Sequence, residues 1–246
     1  SELSQPVLVI AGPGSGKTRL LTARIVWLHE ANKVKPERRV LALTFTNKAA
    51  REMKERVRKY LPDAAASVWT GTFHSFCYHI LRHYGDKIGL DRSFQVADDE
   101  IQRDIARNCL NSASRRIDYQ EFLRTLRLLR NSSRSREDLQ CKVFREADAF
   151  AEAYAAYSQE LSRLKLLAFD DLLLLANELL ERHEAARRIF HIAFPHIVVD
   201  EMQDITIPQL ELLKLLKSSE GSLLAVADED QSIYAFRGAT PFVLRE

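Results

Sequence analysis

Two short clusters in this chain carry chemistry by residue type and spacing. The first is Ala11-Gly12-Pro13-Gly14-Ser15-Gly16-Lys17-Thr18, set between an apolar run, Val7 to Ala11, and an amphipathic stretch from Lys17 to about Glu30. Glycines there let backbone N–H groups turn inward and approach a phosphate closely, and the amino end of the following helix adds its positive dipole. Lys17 is placed to reach the β- and γ-phosphates of a nucleotide, with the Thr18 hydroxyl as a Mg²⁺ ligand. The candidate nucleotide-binding residues are Gly12, Gly14, Ser15, Gly16, Lys17, Thr18 and Arg19. Ala11 stands where such loops usually have their first glycine, a position that closes the strand rather than touching phosphate. The second cluster is Ile197-Val198-Val199-Asp200-Glu201, an apolar strand ending in two acids. Asp200 suits a hydrated Mg²⁺, and Glu201 suits a base that orients and deprotonates an attacking water. An acid pair at a strand end is by itself unremarkable. Beside a phosphate loop it completes what nucleotide hydrolysis needs, a cradle and a metal–base pair.

These groups need a scaffold that brings strand ends together. Val40-Leu41-Ala42-Leu43-Thr44 repeats the strand pattern, followed by a helix from Lys48 to Leu61. Val68-Trp69-Thr70-Gly71-Thr72 reads as a third strand leading into a helix from Ser75 to about Tyr84. Strands Ile197 to Val199 and Leu223 to Ala227 close the pattern, with a helix from Pro208 to Leu216 between them. Strands alternating with helices predict an α/β fold with a parallel sheet covered on both faces. From Asp91 to about Leu166 the chain turns Arg- and Glu-rich, with helical periodicity and no convincing strand. It returns through a strongly apolar helix from Phe169 to Leu180. The expected organisation is one α/β domain, 1–90 and 167–246, interrupted by a helical subdomain, 91–166.

With 46% hydrophobic and 28% charged residues, the composition is that of an ordinary globular domain. No apolar run approaches the roughly 20 residues needed to span a bilayer, and no secretion signal opens the chain. Cys77, Cys109 and Cys141 are odd in number and form no CxxC pair, favouring neither disulfides nor a zinc site. An intracellular, cytoplasmic setting is the expectation. A net charge of +2 selects no partner. Arg124, Arg127, Arg130 and Arg134 recur at helical spacing, a face suited to tracking phosphates or simply to water.

Several further segments resemble the motifs of UvrD/PcrA/Rep-type helicases of superfamily 1. Asp200-Glu201-Met202-Gln203-Asp204 is similar to their DExQD box, and Ala227 to Ala239, with Gln231-Ser232-Ile233-Tyr234-Ala235-Phe236-Arg237, to their third motif. Leu43-Thr44-Phe45-Thr46-Asn47-Lys48-Ala49-Ala50 resembles motif Ia, Gly71-Thr72-Phe73-His74-Ser75-Phe76 motif Ib, and Phe169-Asp170-Asp171-Leu172-Leu173 the segment that re-enters the first RecA-like domain after its insertion. These follow the family's order along nearly the whole chain.

The resemblance implies a RecA-like P-loop domain that binds ATP and Mg²⁺ and moves on single-stranded DNA with 3′→5′ polarity. It implies Phe45, Tyr234 and Phe236 as stacking faces for bases, although the family commonly has Trp where Phe236 stands. Thr46, Asn47, Thr72 and His74 become donors to backbone phosphates. Gln231 becomes the γ-phosphate sensor, joining Lys17 and Glu201 as a catalytic candidate. Arg237 binds phosphate or pairs with an acid. Phe45, Phe73 and Phe76 fit a core as well, and Met202 fits packing. The insertion's arginines would meet a duplex junction. The family's adenine-reading glutamine lies upstream of the phosphate loop and its second RecA-like domain, with the arginine fingers, lies beyond motif III. The 246 residues are therefore expected not to unwind DNA by themselves. Alternatives are the motor of a helicase–nuclease subunit, a non-catalytic module that binds ATP and single-stranded DNA, and a nucleotide kinase. The kinase leaves motifs Ia and Ib unexplained.

Overall fold

The computed structural model describes residues 5–63, 65–111, 117–146 and 148–228. The chain opens with β1 (Val7–Ile10), α1 (Lys17–Glu30), β2 (Val40–Thr44), α2 (Asn47–Tyr60), β3 (Val68–Thr72) and α3 (Phe73–Tyr84). A short β4 (Gln95–Ala97) precedes four helices, α4 (Asp99–Asn111), α5 (Tyr119–Asn131), α6 (Arg136–Arg145) and α7 (Asp148–Arg163). After β5 (Leu166–Ala168) come α8 (Asp171–Arg182), α9 (Glu184–Ala193), β6 (His196–Val199), α10 (Ile207–Leu216) and β7 (Ser222–Ala227).

Five strands form one parallel sheet in the order β1-β7-β6-β2-β3. Apolar residues on both sides of each central strand give the sheet two buried faces. Val40, Ala42, Val198 and Val226 pack with Leu21, Ile25 and Leu28 of α1 and with Met53 and Val57 of α2. Leu41, Leu43, Ile197, Val199 and Ala225 face the other way, onto α3, α8 and α10. Strict alternation along the strand sends neighbouring side chains to opposite layers. This is the α/β, RecA-like architecture that the motifs imply.

The helices α4 to α7 enclose a core of their own, built on Ile105, Phe122, Leu126, Val143, Phe150 and Tyr157. Leu174 of α8 belongs to that core, whereas Leu172, Leu173, Leu175, Ala176 and Leu179 belong to the sheet's. Being covered on both sides explains why α8 is buried from Leu172 through Leu180.

Three expectations change. The 91–166 stretch does contain a strand: β4 pairs in parallel with β5, Gln95 opposite Leu166, in a two-stranded sheet. Three-residue strands carry too few positions for alternation to register. Helix α9 also goes beyond the expected elements. Finally, the arginines do not share an open face. Helix α5 stops at Asn131, so Arg134 lies in the turn before α6, whose amino end is capped by Ser135. Arg130 is buried, with Nη2 donating to Asp171 Oδ2 at 2.8 Å and Nε 2.7 Å from Oδ1. Arg127 reaches Asp99 at 3.2 Å and Asp170 at 3.7 Å, and Arg136 reaches Glu178 at 3.0 Å. These side chains join the inserted helices to α8 and its approach, while Arg124 remains exposed.

Candidate functional site

In a parallel sheet all carboxyl ends lie on one edge, where such folds bind ligands. Here that edge carries, in spatial order, the phosphate loop after β1, Asp228 after β7, Asp200 and Glu201 after β6, Phe45 and Thr46 after β2, and His74 just after β3.

At one end the loop turns through Gly14 at φ 71° and Gly16 at φ 89°, left-handed conformations that glycine adopts without steric cost. A methyl group built on Gly12 or Gly14 meets no protein atom within 4 Å, so the space above the loop is open to a ligand. Gly16 caps α1 without a side chain to occupy its first turn, leaving the leading N–H groups to an anion. Ser15 and Arg19 are exposed beside it. Lys17 Nζ donates to Ala11 O at 2.9 Å, Gly12 O at 3.0 Å and Asp228 Oδ2 at 2.7 Å. Three acceptors match the three N–H bonds of an ammonium, so a phosphate has to displace at least one.

Next to the loop lies the acid cluster. The Asp200 N–H donates to Leu43 O at 3.0 Å, which carries the β2–β6 pairing one residue past the strand. Burial, and after it the charge of Glu201, pushes the Asp200 carboxyl up, while Lys17 and a hydrogen bond from Thr18 pull it back. The two candidate metal-site residues, Thr18 and Asp200, are thus close enough to influence one another. Their oxygens are of the kind Mg²⁺ takes, and a cation there would reverse the shift. Glu201 adopts φ 55°, ψ 46°, an uncommon conformation for a residue with a side chain. Gln203, on the 3₁₀ turn Met202–Asp204, donates from Nε2 to Glu201 Oε2 at 2.6 Å and accepts the Asp228 N–H on Oε1 at 2.9 Å. Met202 packs into the core, as Phe73 and Phe76 do.

At the far end Phe45, His74, Phe169, Asp170 and Asp204 line one cavity of about 470 Å³. Phe45 is half-buried, which leaves part of its ring accessible. The His74 ring stacks on Phe169, centroids 3.9 Å apart and planes 15° from parallel, with Nε2 3.8 Å from Asp170. His74, Arg130 and Arg127 together overcome the effect of burial and hold the Asp170 carboxyl below its ordinary range. Thr46 and Thr72 serve as helix caps: Thr46 Oγ1 accepts the Ala49 N–H at 3.1 Å, and Thr72 Oγ1 accepts the Ser75 N–H at 3.2 Å. Asn47 is exposed on the first turn of α2. Gln231, Tyr234, Phe236 and Arg237 lie outside the described residues.

Phe169, Gln203, Asp204 and Asp228 were not among the sequence candidates. Phe169 is 48% exposed, high for a Phe, yet in the sequence it stands out only as the first residue of the segment resembling the family's re-entry motif. Asp228 becomes interesting only once β7 is seen beside β1.

A parallel sheet whose carboxyl edge carries a glycine-rich loop, a pairing lysine and an acid cluster defines a P-loop nucleotide-binding domain of the RecA-like class. Across residues 1–246 the chain matches the UvrD/REP helicase N-terminal domain, and it belongs to that family. It is 42% identical over 238 residues to the ATP-dependent DNA helicase PcrA of Staphylococcus aureus (strain Mu50), covering 95% of this chain and 32% of that protein. The ATP-dependent DNA helicase PcrA of Staphylococcus epidermidis (strain ATCC 12228) is 40% identical over 242 residues, with the same coverage. The chain therefore spans about a third of the length of the curated relatives it matches. No helix among the described residues is long and apolar enough to cross a membrane.

Proposed function

We propose that this chain is the first motor domain of an ATP-dependent DNA helicase or translocase, binding ATP with Mg²⁺ and single-stranded DNA. Residues 1–90 and 167–246 form its nucleotide-binding unit, and 91–166 its helical insertion. The observation that carries the reading is the shared edge: phosphate loop and acid cluster at one end, an aromatic cavity at the other, with Glu201, Gln203 and Asp204 between them.

Gly12, Gly14, Ser15 and Gly16 present backbone N–H groups to the phosphates, with Arg19 beside them. Lys17 exchanges part of its present contacts for phosphate oxygens. Thr18 and Asp200 would hold Mg²⁺, which would supply charge neutralisation to the phosphates. Glu201 orients the attacking water and receives its proton, and Gln231 senses the γ-phosphate. On the strand side, Phe45, Tyr234 and Phe236 stack bases, with Phe169 beside Phe45. Thr46, Asn47, Thr72, His74 and Arg237 contact the DNA backbone. The polarity is 3′→5′, as in the family it resembles.

The test is ATP hydrolysis by the full-length protein with and without single-stranded DNA, using Glu201→Gln as control. DNA should stimulate turnover, and the substitution should lower it about 10²–10⁴-fold. Nucleotide and strand binding without turnover above that control would favour a non-catalytic module instead.

A further inference from the structure

We infer that Gln203 is the positioning residue for Glu201, holding its carboxylate and tying it to the carboxyl end of β7. The inference rests on the assignment of Glu201 as the base.

Glu201 needs such a restraint. It follows Asp200, whose N–H ends the pairing of β6 with β2, and turns through a left-handed conformation, and its own N–H donates to the neighbouring Asp200 Oδ1, at 3.1 Å. A base must present one oxygen to water in a constant direction, because misplacement of the reacting groups is costly in rate. Gln203 supplies that constancy from a site only 3% exposed. Its Nε2 donates to Glu201 Oε2 at 2.6 Å, which fixes one carboxylate oxygen and leaves Oε1 for water. Its second Nε2 proton has a longer approach, 3.5 Å, to Asp204 Oδ2 in the aromatic cavity.

The other end of the same amide accepts the Asp228 N–H at 2.9 Å, and the Asp228 carboxylate pairs with Lys17 at 2.7 Å. Lys17, Asp228, Gln203 and Glu201 thus form one chain of contacts from the phosphate loop to the base. A carboxamide donates at one end and accepts at the other without bringing a charge. A glutamate at 203 would keep the acceptor but repel Glu201, and a leucine would keep the bulk and lose both bonds.

The experiment compares Gln203→Leu and Gln203→Glu with the parent, full-length protein. It reads kcat and KM for ATP under saturating single-stranded DNA, the affinity for a fluorescent ATP analogue, and the thermal midpoint. Both variants should lose about 10–100-fold in kcat while analogue affinity and KM hold. Combined with Glu201→Gln in single-turnover measurements, Gln203→Leu should add no further loss, since it acts through Glu201.

A parental kcat in both variants would overturn the inference. So would losses that multiply with that of Glu201→Gln, or a parallel fall in analogue affinity. If Gln203→Leu does not fold, Gln203→Glu decides, because it keeps the volume and the Asp228 acceptor. Failure of the underlying assignment looks different: the parent protein would hydrolyse ATP no faster than Glu201→Gln, and this inference would fall with it.

Discussion

The nucleotide edge and the seam between α8 and the inserted helices both bury charge, but they balance it differently. In the seam opposite charges are matched, although burial still pushes the Asp171 carboxyl up. Burial alone would disfavour the charged form of Arg130, yet Asp171 beside it outweighs that and holds its pKa up. Asp170, facing His74, Arg130 and Arg127, stays ionised more readily than a free aspartate. At the edge acids crowd one another instead. Asp200 and Asp204 are both pushed up, each first by burial and then by the charge of Glu201. Lys17 is the cation among them, and it is partly committed to Asp228. A matched seam holds elements together, whereas an edge with surplus negative charge is suited to a cation carried in with phosphate.

The largest effect should come from breaking the seam. Removing one partner of a buried ion pair leaves the other charged and unsolvated, so Arg130→Met should cost about 3–5 kcal/mol of stability. Replacing both partners, Arg130→Met with Asp171→Leu, should recover most of that in urea or thermal unfolding. Nucleotide affinity per folded molecule should not move in either variant. If Arg130→Met instead kept its stability and lost affinity for a duplex junction, the seam would be a DNA-binding face and the contrast with the edge would collapse.

What could be read along the chain follows from how far apart the interacting residues lie. The phosphate loop and the DExQD box are contiguous, and each sits directly after an apolar run, so type and spacing suffice. The five strands of the main sheet were legible for the same reason. Long-range pairings were not. Arg130 looks like one of a row of solvated arginines until α8 brings Asp171 to it from 41 positions away. Lys17 and Asp228 are 211 positions apart and meet only because β7 inserts beside β1. Strands β4 and β5 pair with each other across the whole insertion, so neither has a local signature. Gln203 was legible as part of a motif, but its two-ended grip needed the turn that folds it back onto Glu201.

A smaller effect sharpens the edge. Asp204 is almost buried, and its carboxyl is pushed up to about 6, first by burial and then by Glu201. The folded chain therefore holds this proton more tightly than the unfolded chain, where the group titrates near 3.8. Stability contributed by the protonated form is complete at low pH. It is lost as pH rises through the window from about 4 to about 6. At neutral pH the ionised Asp204 then costs about 3 kcal/mol. Asp204→Asn should unfold at higher urea than the parent at pH 7.5 in the absence of divalent cations, with the gap closing toward pH 4.5. An equal gap at both pH values would show that the carboxylate is balanced as Asp170 is in the seam.

The smallest effect separates two duties at one residue on the strand side of the edge. Thr46 caps α2 through Oγ1, and the proposed function also asks its hydroxyl to donate to a phosphate. Thr72 differs, since its hydroxyl proton already goes to Ser75 Oγ at 3.2 Å, which makes Thr46 the more informative position. Thr46→Ala removes both the cap and the donor and should cost about 1 kcal/mol of stability along with some affinity for single-stranded DNA. Thr46→Asp restores a good cap, because a carboxylate accepts the same N–H, but it removes the donor and sets a negative charge against phosphate. Stability should then return to the parent value while strand affinity falls further, most clearly at low salt, where charge is least screened. If Thr46→Asp bound the strand as well as the parent, Thr46 would be a cap alone, and contact with the DNA backbone would rest on Asn47, Thr72, His74 and Arg237.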